Sequence, residues 1–534
     1  MSKRWIFLAA ALILPGQAAC AARSEPAPHT ALSGSVDLSS AALDRLGSAL
    51  GGLVDAGKLA AVYGVITSNG EIIYEQTFGT RDLGTREPLE RDDIFRIYSM
   101  TKPVVAVGIL RLVDQGRLGL DDPVSRYLPA FARVKVFQGG TADEPVLREP
   151  ARPITIRQLL NHTSGLPYGL TDSPVDTIFR RARLYDAQHT LRQFTDSLAR
   201  IPPLFEPGTR WSYSSGLDVA GHVIEVVSGR TLDVFLEEEI FEPLGMHDTG
   251  FRIRPGDRER LVTVYTPGAD STLQPLTEDG LLAMFEPEAR FLWGSGGLLS
   301  TPHDFLRFAH MLLNGGALGD VRILQPETVA LMTQNTLPPE LTPVSYPTLS
   351  DSAYGFGLGV AVKVRATEAE PNVPVGLYRW SGYLGTYFWV DPANDLVAMV
   401  WTQLSPGGAY PLQSVFQQHV YGIPDAAVET PGTPSEPPAR SAQPFRSSIR
   451  FDPTLIRPGD SVGVLVLDSI DARPTIVDSH SDRFHDPPRP QRPGQQRPVH
   501  PLTRVDVTAK VNGARAAPAP PSHTRRPAPP ALPP

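Results

Sequence analysis

Residues 99–127 read SMTKPVVAVGILRLVDQGRLGLDDPVSRY. The stretch opens with a serine three residues ahead of a lysine. On a helix that spacing puts both side chains on one face, about 5–6 Å apart at Cβ. Pro103 falls in the first turn, where a missing N–H costs little. Val105, Ile109, Leu112 and Val113 supply an apolar face, and Gly116 offers a C-cap. The pattern predicts a helix that begins at Ser99. A serine hydroxyl is a poor nucleophile at neutral pH and needs an adjacent base. Lysine can be that base once burial or nearby positive potential destabilises its ammonium. A helix N-terminus also favours negative charge developing on the serine oxygen. Four residues recur often by chance, so a Ser99 that merely caps the helix and a solvated Lys102 fit the same letters.

The flanking sequence supplies the architecture. Leu43, Leu46, Leu50, Leu53 and Val54 recur at helical spacing, behind Ser39 and Ser40 as candidate caps. Ala61–Thr67 and Glu71–Phe78 read as strands, joined at Ser68-Asn69-Gly70 by a strong hairpin signal. From about 120 to 345 the chain reads mostly as helices and loops. Strand character returns at Tyr354–Val364, Leu377–Val390 and Leu396–Gln403, and Leu412, Val415, Phe416 and Val420 suggest a closing helix. Strands at both ends with helices between them imply an α+β fold, an antiparallel sheet flanked by helices and carrying an inserted, mostly helical domain.

Further stretches follow the first in a recognisable order. They are Asn161-His162-Thr163-Ser164-Gly165-Leu166, Phe205-Glu206-Pro207-Gly208, Trp211-Ser212-Tyr213-Ser214-Ser215, Gly296-Gly297-Leu298-Leu299-Ser300-Thr301-Pro302 and Trp380-Ser381-Gly382. With these in place, residues 40–422 resemble the serine β-lactamase-like superfamily, and more narrowly the class C β-lactamases and family VIII carboxylesterases. Several separately placed motifs in the right order make the resemblance specific. It implies that Ser99 forms an acyl-enzyme, that Lys102 is its amine partner, and that Tyr213 is the tyrosine of the second motif, a phenol able to relay protons. Trp380-Ser381-Gly382 stands where the family's third motif lines the site. The N–H of Tyr383 would then complete an oxyanion hole with that of Ser99. His162 in the first downstream motif shapes structure rather than chemistry, and His303, after Thr301-Pro302, is read as a helix cap.

Two departures from the family pattern bear on substrate. Trp380 replaces the lysine that would bind the carboxylate of a β-lactam or of a peptide C-terminus. Ser215 replaces an asparagine whose amide would reach an acylamino side chain. Both favour small, relatively apolar acyl esters, with Trp380 and Tyr383 as apolar walls. The expected function is ester hydrolysis through an acyl-serine. The alternatives are a β-lactamase or a penicillin-binding DD-peptidase-like activity, and a non-catalytic binding protein of the same fold. Retention of Ser99, Lys102 and Tyr213 together disfavours the last.

The bulk properties narrow the partners. The 534 residues carry a net charge of −8 and no basic stripe interleaved with aromatics, so nucleic acid is not an expected partner. Gly52–Lys58 mimics a P-loop, but Leu59 replaces the required Ser or Thr and no strand precedes it. No Gly-x-Ser-x-Gly, His-Glu-x-x-His or calcium loop occurs, so neither an α/β-hydrolase triad, a metal nor any other cofactor is implied. Lys3 and Arg4, the apolar run Trp5–Leu14 and then Pro15-Gly16 and small residues have the logic of an export leader over residues 1–22. The expected location is periplasmic or secreted. Cleavage after Ala21 or Ala22 fits, and so does lipidation of Cys20, the sole cysteine, although Gln17 sits where an aliphatic residue is usual. That lipid is the one membrane contact foreseen, and oligomeric state is not readable. Residues 423–534 are expected to be a largely disordered tail: 23 of the 54 prolines fall in the last 111 residues. Its Ile456–Ile470 run, with alternating valines, is either a small hairpin or a sticky patch within the tail.

Overall fold

Helix α1 (Ser40–Asp55) starts where the sequence offers a cap: the Ser39 hydroxyl accepts from the Ala42 N–H at 3.3 Å. Its Leu46 and Leu50 are buried against the sheet beneath. The computed structural model describes residues 36, 38–268, 270–277, 280–346 and 353–422. The leader with Cys20 and the segment 423–534, including Ile456–Ile470, lie outside the described residues. Among the described residues no helix is long and apolar enough to cross a membrane.

Strands β1 (Ala61–Ser68) and β2 (Glu71–Asp82) form the hairpin that Asn69-Gly70 foretold. Asn69 has φ 50° and Gly70 φ 78°, the pair of left-handed residues that matches a two-residue turn to the twist of its strands. The other strands of this sheet are β3 (Glu87–Pro88), β4 (Tyr354–Phe356), β5 (Ala361–Lys363), β6 (Tyr378–Gly382), β7 (Thr386–Asp391) and β8 (Leu396–Trp401). They pair in the order β4-β5-β6-β7-β8-β1-β2-β3, antiparallel throughout, so strands from before and after the helical insert meet where β1 lies against β8. The fold is the expected α+β one.

Both faces of the central strands are covered: β7 and β8 are buried along their whole length and mostly apolar, while β6, Tyr-Arg-Trp-Ser-Gly, is buried throughout although its sequence alternates. Side-chain alternation still decides which partner each residue meets. Trp389 packs edge-on against Phe416 of the closing helix α5 (Leu412–Tyr421), on the α1 side. Its neighbour Phe388 meets Phe305 of α4 (Pro302–Leu313) on the other side. Beyond α4's face lies the inserted region, centred on α2 (Thr101–Asp114) and α3 (Gly216–Ser228). The two helices come close at Gly108, where a Cβ would stand 2.9 Å from the Ile224 side chain. The insert also holds small hairpins, Val136–Gly140 with Pro145–Arg148 and Tyr265–Pro267 with Leu273–Pro275. These are too short to leave a periodic signal in sequence.

Three local expectations need correction. Leu377–Val390, expected as one strand paired with Leu396–Gln403, folds back at residues 383–385 into the antiparallel strands β6 and β7. The α-helix begins at Thr101, not Ser99, and a 3₁₀ turn over Tyr98–Met100 carries the serine into it. His303 does not cap α4. The Thr301 hydroxyl does so by accepting from the Asp304 N–H at 3.2 Å, while His303 Nε2 reaches Glu75 at 2.6 Å.

The serine turn is docked onto the end of β6. Thr386 Oγ1 donates to the Ile97 carbonyl at 3.4 Å, and Gly382 lies against the same carbonyl. A Cβ at Gly382 would stand 2.2 Å from Thr386 Oγ1 and 2.4 Å from Ile97 O. Gly382→Ala is thus expected to cost about 1–3 kcal/mol through overpacking against backbone. The readout is a lowered urea midpoint, and an unchanged midpoint would contradict this docking.

Candidate active site

Ser99 sits where three separate segments converge. Its own turn is anchored from below: the Ile97 N–H donates to Leu298 O at 3.0 Å, and the Leu298 N–H donates to the Thr101 hydroxyl at 3.0 Å. Tyr98 adopts φ 41°, a left-handed conformation that is strained for a bulky residue. Ring contacts with Phe285, Trp293 and Tyr383, with centroids 5.4–5.7 Å away, hold it there. Strain of this kind persists only where the surroundings over-determine it, and functional turns are its usual home.

One helical turn on, Lys102 is fully buried. Its Nζ lies 3.3 Å from Ser99 Oγ, 2.7 Å from the Ser295 carbonyl and 3.4 Å from the Tyr168 hydroxyl. It also sits over the Tyr213 ring, 4.4 Å from its centroid. Burial drives its pKa down from the ordinary lysine range to about 7, against the opposing pull of the Asp218 charge. The amine is therefore able to stand uncharged beside the serine near neutral pH.

Tyr213 arrives from the loop before α3 and donates its hydroxyl to Ser99 Oγ at 2.8 Å. Burial pushes the phenol well above its usual range, with the Tyr346 and Tyr168 rings adding to the effect and the Ser99 contact opposing it. The phenol accordingly keeps its proton at neutral pH. Its ring leans on His162, with centroids 4.7 Å apart, and the His162 Nδ1 meets the Ser214 hydroxyl at 3.0 Å. Burial lowers the His162 pKa, and the ring stays neutral.

The residues named from the third motif divide between two faces of β6. Trp380 faces the serine, its ring 5.5 Å from that of Tyr213 and stacked at 24° on Tyr346. Ser381 is turned to the opposite face with Arg379, whose guanidinium donates to Gln417 of α5 at 3.1 Å. Gly382 ends the strand against the serine turn, so the N–H of Tyr383 is the first to leave the ladder there. The Tyr383 ring, half exposed, lies at the rim beside Tyr98. Ser215 is committed elsewhere: it is fully buried, and its hydroxyl donates to the Pro167 carbonyl at 2.8 Å.

Thus Ser99, Lys102 and Tyr213 come into direct contact, Trp380, Gly382 and Tyr383 border them, and Ser215 and Ser381 point away. Sequence reading missed Tyr168 and Ser295, which touch the Lys102 amine, and Tyr346, which walls the site behind Trp380. Tyr168 lies just two residues beyond the Asn161–Leu166 motif, and Ser295 directly precedes Gly296-Gly297. Among the described residues no group of three His, Cys, Asp or Glu side chains is placed to hold a metal ion.

A serine oxygen held between an amine able to be neutral and a protonated phenol suits acyl transfer: one group takes the serine proton while the other supplies a proton to a departing oxygen. Comparison with known proteins agrees with this chemistry. Residues 47–416 match the family described as Beta-lactamase. An uncharacterized protein of Mycobacterium tuberculosis is 31% identical, over 73% of this chain and 94% of its own. Esterase EstB of Burkholderia gladioli is 31% identical, over 68% and 91% respectively. Among solved structures, EstCE1, a hydrolase with promiscuous acyltransferase activity, is 28% identical and superposes with a TM-score of 0.62 over 72% of this chain and 99% of its own.

A fluorophosphonate should label Ser99, as mapped by mass spectrometry, and Ser99→Ala should abolish the label. Tyr213→Phe, which removes the phenolic donor to that oxygen, is expected to slow labelling by about a hundredfold. Labelling of Tyr213→Phe at the wild-type rate would contradict the geometry described.

Proposed function

The chain belongs to the β-lactamase family, and we propose that within it the protein is a carboxylesterase that hydrolyses small, relatively apolar esters through an acyl-enzyme on Ser99. The observation that carries the reading is the contact of Ser99 with a desolvated Lys102 and a protonated Tyr213. In this mechanism the Ser99 proton passes to Lys102 Nζ as Oγ attacks the ester carbonyl. The oxyanion is held by the N–H groups of Ser99 and Tyr383. As the C–O bond to the alcohol breaks, Tyr213 gives its proton to the departing oxygen and recovers one from the Lys102 ammonium. Water then repeats the sequence in reverse, releasing the acid and restoring the Ser99 hydroxyl.

The walls of the site support an ester over a β-lactam. Trp380, Tyr346 and Tyr383 offer apolar ring surface, and the third motif carries no cation for a substrate carboxylate. Arg379, the neighbouring cation on the same strand, faces α5 instead. Ser215, spent on Pro167, is not available to an acylamino side chain. The similarity to proteins described as an esterase and as a hydrolase with acyltransferase activity points the same way. For location, the leader-like residues 1–22 support export, with Cys20 as an optional lipid anchor.

Turnover of short-chain p-nitrophenyl esters should exceed that of a chromogenic cephalosporin by at least an order of magnitude, and turnover of the cephalosporin alone would overturn the ester reading. The sign of the pH dependence follows from the base. Lys102 must be unprotonated to accept the serine proton, so kcat/KM for the ester should fall as pH drops through about 7. A profile flat from pH 5 to 8 would contradict an amine base.

A further inference from the structure

The Lys102 amine is tied to a buried carboxylate that none of the sequence motifs includes. Asp218 lies in the first turn of α3, fully buried. It accepts the Ser295 N–H at 2.8 Å on one oxygen. On the other it accepts the Ser295 hydroxyl at 2.8 Å and the Tyr185 hydroxyl at 2.9 Å. A carboxylate can only accept, so these contacts set the direction of every bond upstream. Ser295 spends its proton on Asp218, and its oxygen receives the Trp293 indole N–H at 2.8 Å. The Tyr168 hydroxyl, 3.1 Å from the same oxygen, therefore donates towards it and turns a lone pair to Lys102. The Ser295 carbonyl, fixed by the same clamp, takes a second Lys102 N–H at 2.7 Å. With two N–H groups so engaged, the remaining position on an uncharged Nζ is its lone pair, and the contact left for it is Ser99.

We propose that Asp218 is a positioning residue for this base: it clamps Ser295 so that Ser295 and Tyr168 orient the Lys102 amine towards Ser99, and its charge sets how readily that amine holds a proton. The inference rests on the acyl-serine reading and deepens it. The titratable groups facing Lys102 are Tyr168 and His162 from the 161–168 loop, Tyr213 from the loop before α3, and Asp218 from α3 itself. Those facing Asp218 are Lys102, Tyr168 and Tyr185. Burial keeps the three tyrosines protonated and His162 neutral. Burial raises Asp218 too, to about 6, against the opposing pull of the Lys102 charge, so at neutral pH it is the anion of the cluster, and its charge opposes the desolvation that lowers the Lys102 pKa. Removing that charge must push the amine further down.

The test is the pH dependence of kcat/KM on a p-nitrophenyl ester. Asp218→Asn keeps an oxygen for the Ser295 N–H but discards the charge. Its acidic limb should move to lower pH by about one unit or more, and its plateau should fall about tenfold to a hundredfold as the base loses its orientation. A purely structural residue would lower the plateau without moving the limb. Tyr185→Phe is run beside it in case asparagine is not tolerated at so buried a position. It leaves the carboxylate but removes one donor to it, so the limb should move the same way by less. An unmoved limb in whichever variant folds, with Ser99 of the wild type still labelled by a fluorophosphonate, would overturn this inference alone. Failure to label Ser99 in the wild type would overturn it together with the acyl-serine reading.

Discussion

Everything in the site depends on taking one amine out of water. An ammonium in a low-dielectric interior is costly, and the cost is relieved either by losing the proton or by finding an anion. Lys102 is offered both routes. The core packed around α2 excludes solvent, which favours the neutral form, and Asp218 restrains that tendency from behind Ser295. The balance leaves the amine close to its titration point near neutral pH. That is the most useful place for a group that must first take a proton and later return it. The sheet, with its early and late strands joined at β1 and β8, holds β6 against the serine turn, and the insert brings Tyr213, Tyr168 and Asp218 to the other side of the same lysine.

The division of labour between lysine and tyrosine follows from the same physics. Burial acts in opposite directions on the two groups, because the charged form is the protonated one for an amine and the deprotonated one for a phenol. The environment that readies Lys102 to accept a proton therefore makes Tyr213 reluctant to release one as a resting anion. Sequence alone left open which of the two acts first. In the proposed mechanism, burial makes the amine the base and leaves the phenol as a donor that passes protons without resting as tyrosinate.

Much of the fold was legible because its signals are local. The Asn69-Gly70 turn, the Ser39 cap, the leucine spacing of α1 and the apolar run of β8 each follow from neighbouring residues, whereas the fold-back between β6 and β7 left no such signal. The boundary of α2 was misplaced by two residues, since a 3₁₀ turn and an α-helix share the same start signals and the strain at Tyr98 has no sequence signature. Ser99, Lys102 and Tyr213 could be found because each sits in a motif. Ser215 and Ser381 hold motif positions yet turn away from Ser99: motif position gives the backbone's place but not the side chain's direction, which strand alternation and the Pro167 carbonyl decide. Tyr168, Ser295 and Asp218 escaped notice because their roles exist only after distant segments meet, and a lone aspartate at a helix start is ordinarily just a favourable end charge.

The most direct test is to watch the amine titrate. The chain has six lysines, so a ¹⁵N-lysine-labelled sample gives few Nζ signals, and Lys102→Arg identifies the one that matters. The account requires that signal to change protonation near pH 7, well below an ordinary lysine. A Lys102 that stays an ammonium above pH 9 would contradict it.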